Sequence, residues 1–302
     1  MIAVDLFAGL GGWSTAARSL GITVAWAANH WPAAVAQHAL NHPETVHACQ
    51  DLHQTDWRTV PRHDLLLASP ACQGHSKARG AEKPHHDALR STAWAVVSAA
   101  EYHRPELVLV ENVPEMRDWI LYPAWRMALA ALGYGVTEVI ADAADHGVPQ
   151  NRERLFVVCR RGLTAPRVRM EREPQIPAST FVDFTRGAWS PINKPGRAAA
   201  TLVRIEAGRR EHGDRFLLPY YGAARGGRCL SRPIGTLSTH DRYALVDGDR
   251  MRMLDRWEAR DACSFPASTV LPDSHKDAIK MLGNAVPPKL GAAVIRATLA
   301  AK

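Results

Sequence analysis

The chain has 302 residues, 46% hydrophobic and 22% charged, an ordinary globular composition long enough for one large domain or two smaller ones. No apolar run approaches the roughly 20 residues of a membrane span, and five scattered cysteines (Cys49, Cys72, Cys159, Cys229, Cys263) without a CxxC pair argue against a disulfide framework or a metal site. The net charge of +7 falls within residues 161–270, where 19 basic residues, all arginine except Lys194, stand against 12 acidic ones.

Taken in order, short Val/Ile/Leu runs predict strands at 2–7, 22–28, 64–69, 106–111, 135–141 and 154–159, with a weaker one before Asp51. Helical stretches at 12–20, 31–41, 87–103 and 122–132 alternate with them, which predicts a doubly wound, mostly parallel α/β sheet. Gly21 and Gly133 read as helix stops, and Pro105 ends the helix before it. No basic stretch or cleavage site precedes the first strand, so no leader is expected and a reducing cytoplasm fits. After about residue 160 the chain turns rich in Pro, Gly and Arg, with short apolar pieces such as 201–203 and 243–246. This predicts a small, irregular, mostly β second domain. Helical pattern returns near 252, and 276–300 reads as an Ala-rich helix interrupted at Gly283 and Pro287-Pro288 that packs back on the first domain.

Ligands of open α/β sheets bind at the carboxyl ends of the strands. Three strand ends carry chemistry here. The first runs into Ala8-Gly9-Leu10-Gly11-Gly12, where glycine lets the backbone approach a ligand, although the spacing is not that of a dinucleotide site. The third full strand ends at Pro70-Ala71-Cys72-Gln73, a thiol in a polar turn. The loop after it carries Ser76, Lys77 and Arg79 among glycines and histidines, suited to closing over a polyanion. The next strand ends at Glu111, and a thiol beside a carboxyl group suits covalent catalysis with acid assistance. Arg152 and Arg154 lie two apart at a strand start and are expected on one face. Asp51 is placed to accept a hydrogen bond from an adenine amino group. The arginine-rich segment suits phosphates and guanine edges, because the guanidinium fork binds bidentately.

Together these residues resemble the DNA (cytosine-5) methyltransferase family. Five matches fall in the family's order: Phe7-Ala8-Gly9-Leu10-Gly11-Gly12, Cys72-Gln73 with Ser76, Glu111-Asn112-Val113, Gln150-Asn151-Arg152-Glu153-Arg154, and Gly283-Asn284-Ala285-Val286-Pro287-Pro288. The resemblance implies a catalytic domain of residues 1–160 plus 268–302 and a target-recognition domain of 161–267. It implies S-adenosylmethionine as cofactor, with Phe7, Ala8, Gly9, Gly11, His30, Trp31, Asp51, Leu52, Pro70, Asn284 and Ala285 around it. Cys72 would be the nucleophile, Glu111 the group at N3 of the base, Arg154 its positioner, and Arg152 a support. The partner would be double-stranded DNA with a short recognition sequence, touched by Gln73, Ser76, Lys77, Arg79, Arg225, Arg228 and the Thr236-Leu237 element, and the protein would act as a monomer. The sequence departs from the family pattern in having Ala71 where a proline usually precedes the nucleophile, and His30 where an acid usually holds ribose hydroxyls; the imidazole would tolerate a more anionic cofactor. The competing readings are an RNA substrate, against which the insert lacks the Cys-Phe-Thr element of tRNA-type relatives, and a silent DNA-binding protein, against which the catalytic residues are intact.

Overall fold

The computed structural model describes residues 1–71, 90–162, 164–221 and 224–301. Seven strands form the larger sheet: β1 (Ile2–Leu6), β2 (Thr23–Asn29), β3 (Val46–Cys49), β4 (Leu65–Ala68), β5 (Leu107–Asn112), β6 (Tyr134–Asp142) and β7 (Glu153–Arg161). Their order is β3-β2-β1-β4-β5-β7-β6. The first five are parallel, and β7 runs antiparallel to both β5 and β6. The expected strands are all present, as is the weak one, β3.

Helices α1 (Gly12–Ser19), α2 (Pro32–Asn41), α3 (Trp94–His103) and α4 (Tyr122–Ala131) connect the strands. The expected helix at 87–103 begins among undescribed residues, and its regular part is α3. The sheet is buried on both faces, which is why its strands read as continuous apolar runs rather than alternating ones. Side-chain alternation still sorts them. Leu66, Val108 and Val110 join Val96, Trp125 and Leu129 on one side; Leu65, Leu67 and Leu109 join Trp13, Ala16 and Ile295 on the other.

The second sheet has four antiparallel strands, β8 (Ser190–Pro191), β9 (Arg215–Pro219), β10 (Tyr243–Asp247) and β11 (Arg250–Met253), in the order β8-β11-β10-β9. Residues 201–203, expected among the β pieces, instead lie in a 14-residue helix, α5 (Ala199–His212). It buries Thr201, Ile205 and Gly208, the last so close that an added Cβ would stand 2.4 Å from the Phe216 ring of β9. Helix α6 (Arg256–Ala262) starts at a capping box of Asp255 and Glu258. The interrupted terminal helix is two helices, α7 (His275–Asn284) and α8 (Pro288–Ala300). Helix α8 packs on α1 through Gly291, where a Cβ would lie 3.0 Å from that of Ala16. A third core cluster joins Leu10 and Ala34 of the large-sheet region to Leu217, Tyr243 and Leu245 of the small sheet and Leu282 of α7.

Candidate active site

Parallel neighbours leave their carboxyl ends on one rim, so the polar residues ending β1 to β5 are gathered there. Glu111 and Asn112, the last residues of β5, are both buried. Glu111 lies opposite Phe156 of β7, and Arg154, two residues before Phe156, shares that face. The diagonal pair meets: Arg154 Nε is 2.9 Å from Glu111 Oε1, with side chains 11% and 7% exposed. A carboxyl group so enclosed and gripped by a guanidinium has a fixed direction.

Asn112 Nδ2 donates to the Pro70 carbonyl at 3.1 Å, and the Ala71 N–H donates to Thr92 Oγ1 at 3.1 Å. The segment leading to Cys72 is thereby anchored beside Glu111. A proline at position 71 would have no N–H to give Thr92, so the departure at Ala71 has a local partner. Cys72, Gln73, Ser76, Lys77 and Arg79 lie outside the described residues.

Arg152 and Arg154 turn to different tasks. Arg152, 2% exposed, donates to the carbonyls of Leu237 (3.1 Å), Gly283 (2.8 Å) and Ala285 (3.1 Å). It clasps two distant segments rather than the carboxylate. Its neighbours do likewise. Gln150 donates to the Ala262 carbonyl at 3.2 Å and accepts from the Leu237 N–H at 2.9 Å, and the Asn151 N–H donates to the Ile234 carbonyl at 2.8 Å.

The glycine turn after β1 holds Phe7 half-buried at φ 61°, a left-handed conformation that is costly for a bulky aromatic and recurs at ligand sites. Gly9 (φ 55°) and Gly11 (φ 95°) share that region, and Ala8 is bonded to the Ala28 carbonyl at 3.0 Å. Beside Gly9 there is open space: an added Cβ would find its nearest atom, the Phe7 carbonyl oxygen, at 3.9 Å. At Gly12 a Cβ would stand 2.0 Å from the Val286 carbonyl oxygen, so the segment of Asn284 (exposed) and Ala285 (buried) closes on the turn. His30 is exposed at the end of β2. Trp31 beside it is half-buried, with the Lys280 ammonium of α7 4.1 Å from its ring centre. Asp51 is exposed and caps the His53 N–H at 3.0 Å, while Leu52 and Pro70 are buried next to it and at the end of β4. Lys280 had no sequence signal; only the fold brings α7 to β2.

In the stretch between β9 and β10, Arg225 and Arg228 are exposed. Thr236 is exposed, its hydroxyl donating to the Asn151 carbonyl at 2.8 Å, and Leu237 is buried with both backbone groups used by Gln150 and Arg152. A cleft of about 850 Å³ is lined by Arg204, Tyr220, Tyr221, Arg225 and Arg242, with Arg204 stacked 5.0 Å over the Tyr220 ring. Of these only Arg225 is legible as a contact residue from the sequence, because Arg204 lies on α5 while Tyr220, Tyr221 and Arg242 lie just after β9 and just before β10. Among the described residues, no three His, Cys, Asp or Glu side chains gather as a metal site, and no helix is long and apolar enough to cross a membrane.

Comparison with known proteins identifies the family. Residues 1–194, more than half of the chain, match the family model of C-5 cytosine-specific DNA methylases. The type II methyltransferase M.HhaI of Haemophilus parahaemolyticus is 28% identical over 160 residues, 52% of this chain and 48% of that one. M.NlaX of Neisseria lactamica is 32% identical over 51% of this chain and 50% of its own, so the chain spans about half the length of these curated relatives. The match to M.AplI of Arthrospira platensis is longer, 28% identity over 98% of this chain and 85% of that one. Among solved structures, a prophage-encoded E. coli chain superposes with a TM-score of 0.74 over 98% of both chains at 17% identity, a likeness of fold. The chain belongs to the C-5 cytosine-specific DNA methylase family.

Proposed function

We propose that this protein methylates C5 of cytosine in double-stranded DNA, with S-adenosylmethionine as methyl donor and Cys72 as nucleophile. The observation that carries the reading is the buried Glu111–Arg154 pair, 2.9 Å apart, at the strand end where Asn112 also holds the segment leading into Cys72.

The residues fit the cofactor. Phe7 and Trp31 offer aromatic faces, Asp51 an accepting carboxylate and Gly9 open space, and Asn284–Ala285 close the turn from the C-terminal side. When bound, S-adenosylmethionine supplies an electrophilic methyl group. Neutral cytosine C5 is a poor nucleophile, so the ring must first be activated. The target base leaves the stack, since its reacting atoms are out of reach inside a duplex. The Cys72 thiolate adds to C6. Glu111 supplies a proton at N3, which draws electron density from the C5–C6 bond and makes C6 electrophilic. Arg154 holds the Glu111 carboxyl in direction. The resulting C5 carbanion equivalent takes the methyl group; loss of the C5 proton and expulsion of Cys72 then restore the aromatic ring. The exposed Arg225 and Arg228, with Tyr220 and Arg242 of the neighbouring cleft, would grip the duplex. Residues 161–267 would be the recognition domain and residues 1–160 with 268–302 the catalytic one. The chain would act as a monomer in a bacterial or phage-infected cytoplasm.

Nucleoside mass spectrometry of DNA from cells expressing the chain, beside a Cys72→Ala control, tests this. 5-Methylcytosine is expected with the intact chain alone. DNA left unmodified by folded, abundant protein would overturn the reading, and a heavier cytosine adduct would point to a different transferred group and to His30.

A further inference from the structure

Beneath the glycine turn lies a line of polar groups that the methyl-transfer steps do not use. Asp5, on β1 two residues before Phe7, is fully buried. Its Oδ2 accepts from the Ser14 hydroxyl of α1 at 2.7 Å, and its Oδ1 has no hydrogen-bond partner among the described residues. Ser14 Oγ is 3.0 Å from Nε2 of His38 on α2, and His38 Nδ1 is 2.8 Å from Nε2 of His47 on β3. Ser14 and His38 are buried, while His47 is half-buried on the sheet's edge strand. The line therefore runs from the molecular edge to an enclosed carboxyl group.

Proton counting fixes its direction. A hydroxyl has one proton, and a neutral imidazole has one donor and one acceptor nitrogen. With Asp5 ionised, Ser14 donates to it and must accept from His38 Nε2–H. His38 Nδ1 is then an acceptor, served by His47 Nε2–H. With Asp5 protonated every bond reverses: Asp5 donates to Ser14, Ser14 to His38 Nε2, and His38 Nδ1–H to His47 Nε2. The exchange balances when one proton enters at His47 Nδ1 and each link hands its own proton inward. No imidazolium remains inside, in keeping with burial holding His38 neutral and pushing its pKa down to about 2. Burial pushes the Asp5 carboxyl up to about 7, where both its states are populated near neutral pH.

The line is also the floor of the turn. A Cβ on Gly11 would stand 2.6 Å from His42 Nε2 and 3.1 Å from His38 Cδ2. The His42 ring is tilted against His38, their centres 4.5 Å apart, and its Nε2 lies 3.3 Å from Thr15 Oγ1. The charged groups facing the cluster are Arg18 of α1, which disfavours protonation of His38 and His42, and Glu44, paired with Arg18 at 3.6 Å, which opposes it. The β2 and β4 neighbours of Asp5 are Ala27 and Leu67 and carry no charge.

We infer that Asp5 is a positioning residue for the Phe7–Gly12 turn and that His47, His38 and Ser14 form a proton relay linking its charge to the surface. This rests on the reading that the turn holds S-adenosylmethionine. An anion buried under that turn favours a sulfonium cation over the neutral thioether S-adenosylhomocysteine. Calorimetric titration with both ligands at pH 6 and pH 8 isolates the effect, because the two differ by one positive charge. The preference for S-adenosylmethionine is expected to rise by up to about tenfold from pH 6 to pH 8, the most that proton linkage allows for one carboxyl titrating between them. The rise should vanish in Asp5→Asn. Nitrogen-15 NMR of the histidines supplies a readout free of cofactor: His38 should carry its proton on Nε2 at pH 8 and on Nδ1 at pH 6. A constant ligand preference together with a single His38 tautomer across that range would overturn the inference. Tautomer exchange in folded protein that binds neither ligand would instead sink the cofactor reading and leave the relay standing.

Discussion

In the proposed reaction Glu111 has one ring proton to manage. The carboxyl is enclosed and its Oε1 is occupied by Arg154, so Oε2 is the oxygen left to face a base. Glu111→Gln keeps the shape but holds an amide where a transferable proton is needed. Single-turnover methylation is expected to slow about 10²–10⁴-fold, the range for losing a general acid, with the thermal midpoint little changed. Retained rates would assign N3 to another donor. Buried histidines govern a different property. Burial pushes His38 down to about 2 and His42 and His63 down to about 4. The unfolded chain takes up protons on these rings below about pH 6.5 and the folded chain does not, so their contribution is complete above that pH and is lost as pH falls toward 4. Asp5 acts in the opposite sense: its raised pKa of about 7 makes the fold pay for an ionised carboxyl above pH 7, a penalty on the order of 4 kcal/mol that is relieved on acidification. Three rings outweigh one carboxyl. The urea midpoint should be level above pH 7 and fall between pH 6.5 and 4.5. Asp5→Asn should raise it at pH 8 and steepen the acid fall; a midpoint insensitive to both would contradict the burial of these groups.

At the scale of elements, what was legible follows from how each segment is buried. The strands of the large sheet are covered on both faces, so β1, β4 and β5 had to be apolar apart from Asp5 and the Glu111-Asn112 end, and announced themselves. Helix α8 declared its start through Pro287-Pro288. Helix α5 did not declare itself, because its inward stripe is Thr201, Ile205 and Gly208, spaced as a helix requires but with one apolar member of any size, while Val203 faces solvent. The stripe is small because β9 comes close. This reverses an ordinary rule. Glycine inside a helix normally costs about 1 kcal/mol relative to alanine. At Gly208 the added methyl would stand 2.4 Å from the buried Phe216 ring, and a Cβ on Gly227 would stand 2.5 Å from the same ring edge. Phe216 cannot step aside, so Gly208→Ala is expected to destabilise by about 1–3 kcal/mol, the usual cost of overpacking. Urea unfolding followed by circular dichroism reads the sign directly, and a stabilised variant would mean that α5 stands farther from β9.

Across the whole molecule, chemistry and assembly occupy adjacent residues of one motif. The resemblance of Gln150-Asn151-Arg152-Glu153-Arg154 made Arg154 a positioner and Arg152 a support, but the spacing did not show that Arg154 holds Glu111 while Arg152 binds carbonyls 85 to 133 residues away in sequence. Backbone acceptors have no side-chain signature, so contacts of this kind stay hidden until the chain is folded. The same junction is tight on its far side, where a Cβ on Gly283 would lie 2.4 Å from the Ser238 backbone. Three segments, from the large sheet, from the stretch before β10 and from the end of α7, therefore meet around one buried cation. Arg152→Met removes that cation and leaves the carbonyls of Leu237, Gly283 and Ala285 without its three hydrogen bonds, and an unsatisfied buried acceptor costs about 1–3 kcal/mol. The variant should lose several kcal/mol by urea unfolding and also lose methylation, whereas Arg154→Met should lose methylation with a much smaller change in stability. Limited proteolysis distinguishes the two further: cleavage near residues 234–239 and 283–287 should appear in Arg152→Met alone. Equal stability losses in both variants would make the two arginines one structural unit and remove the division of labour between them.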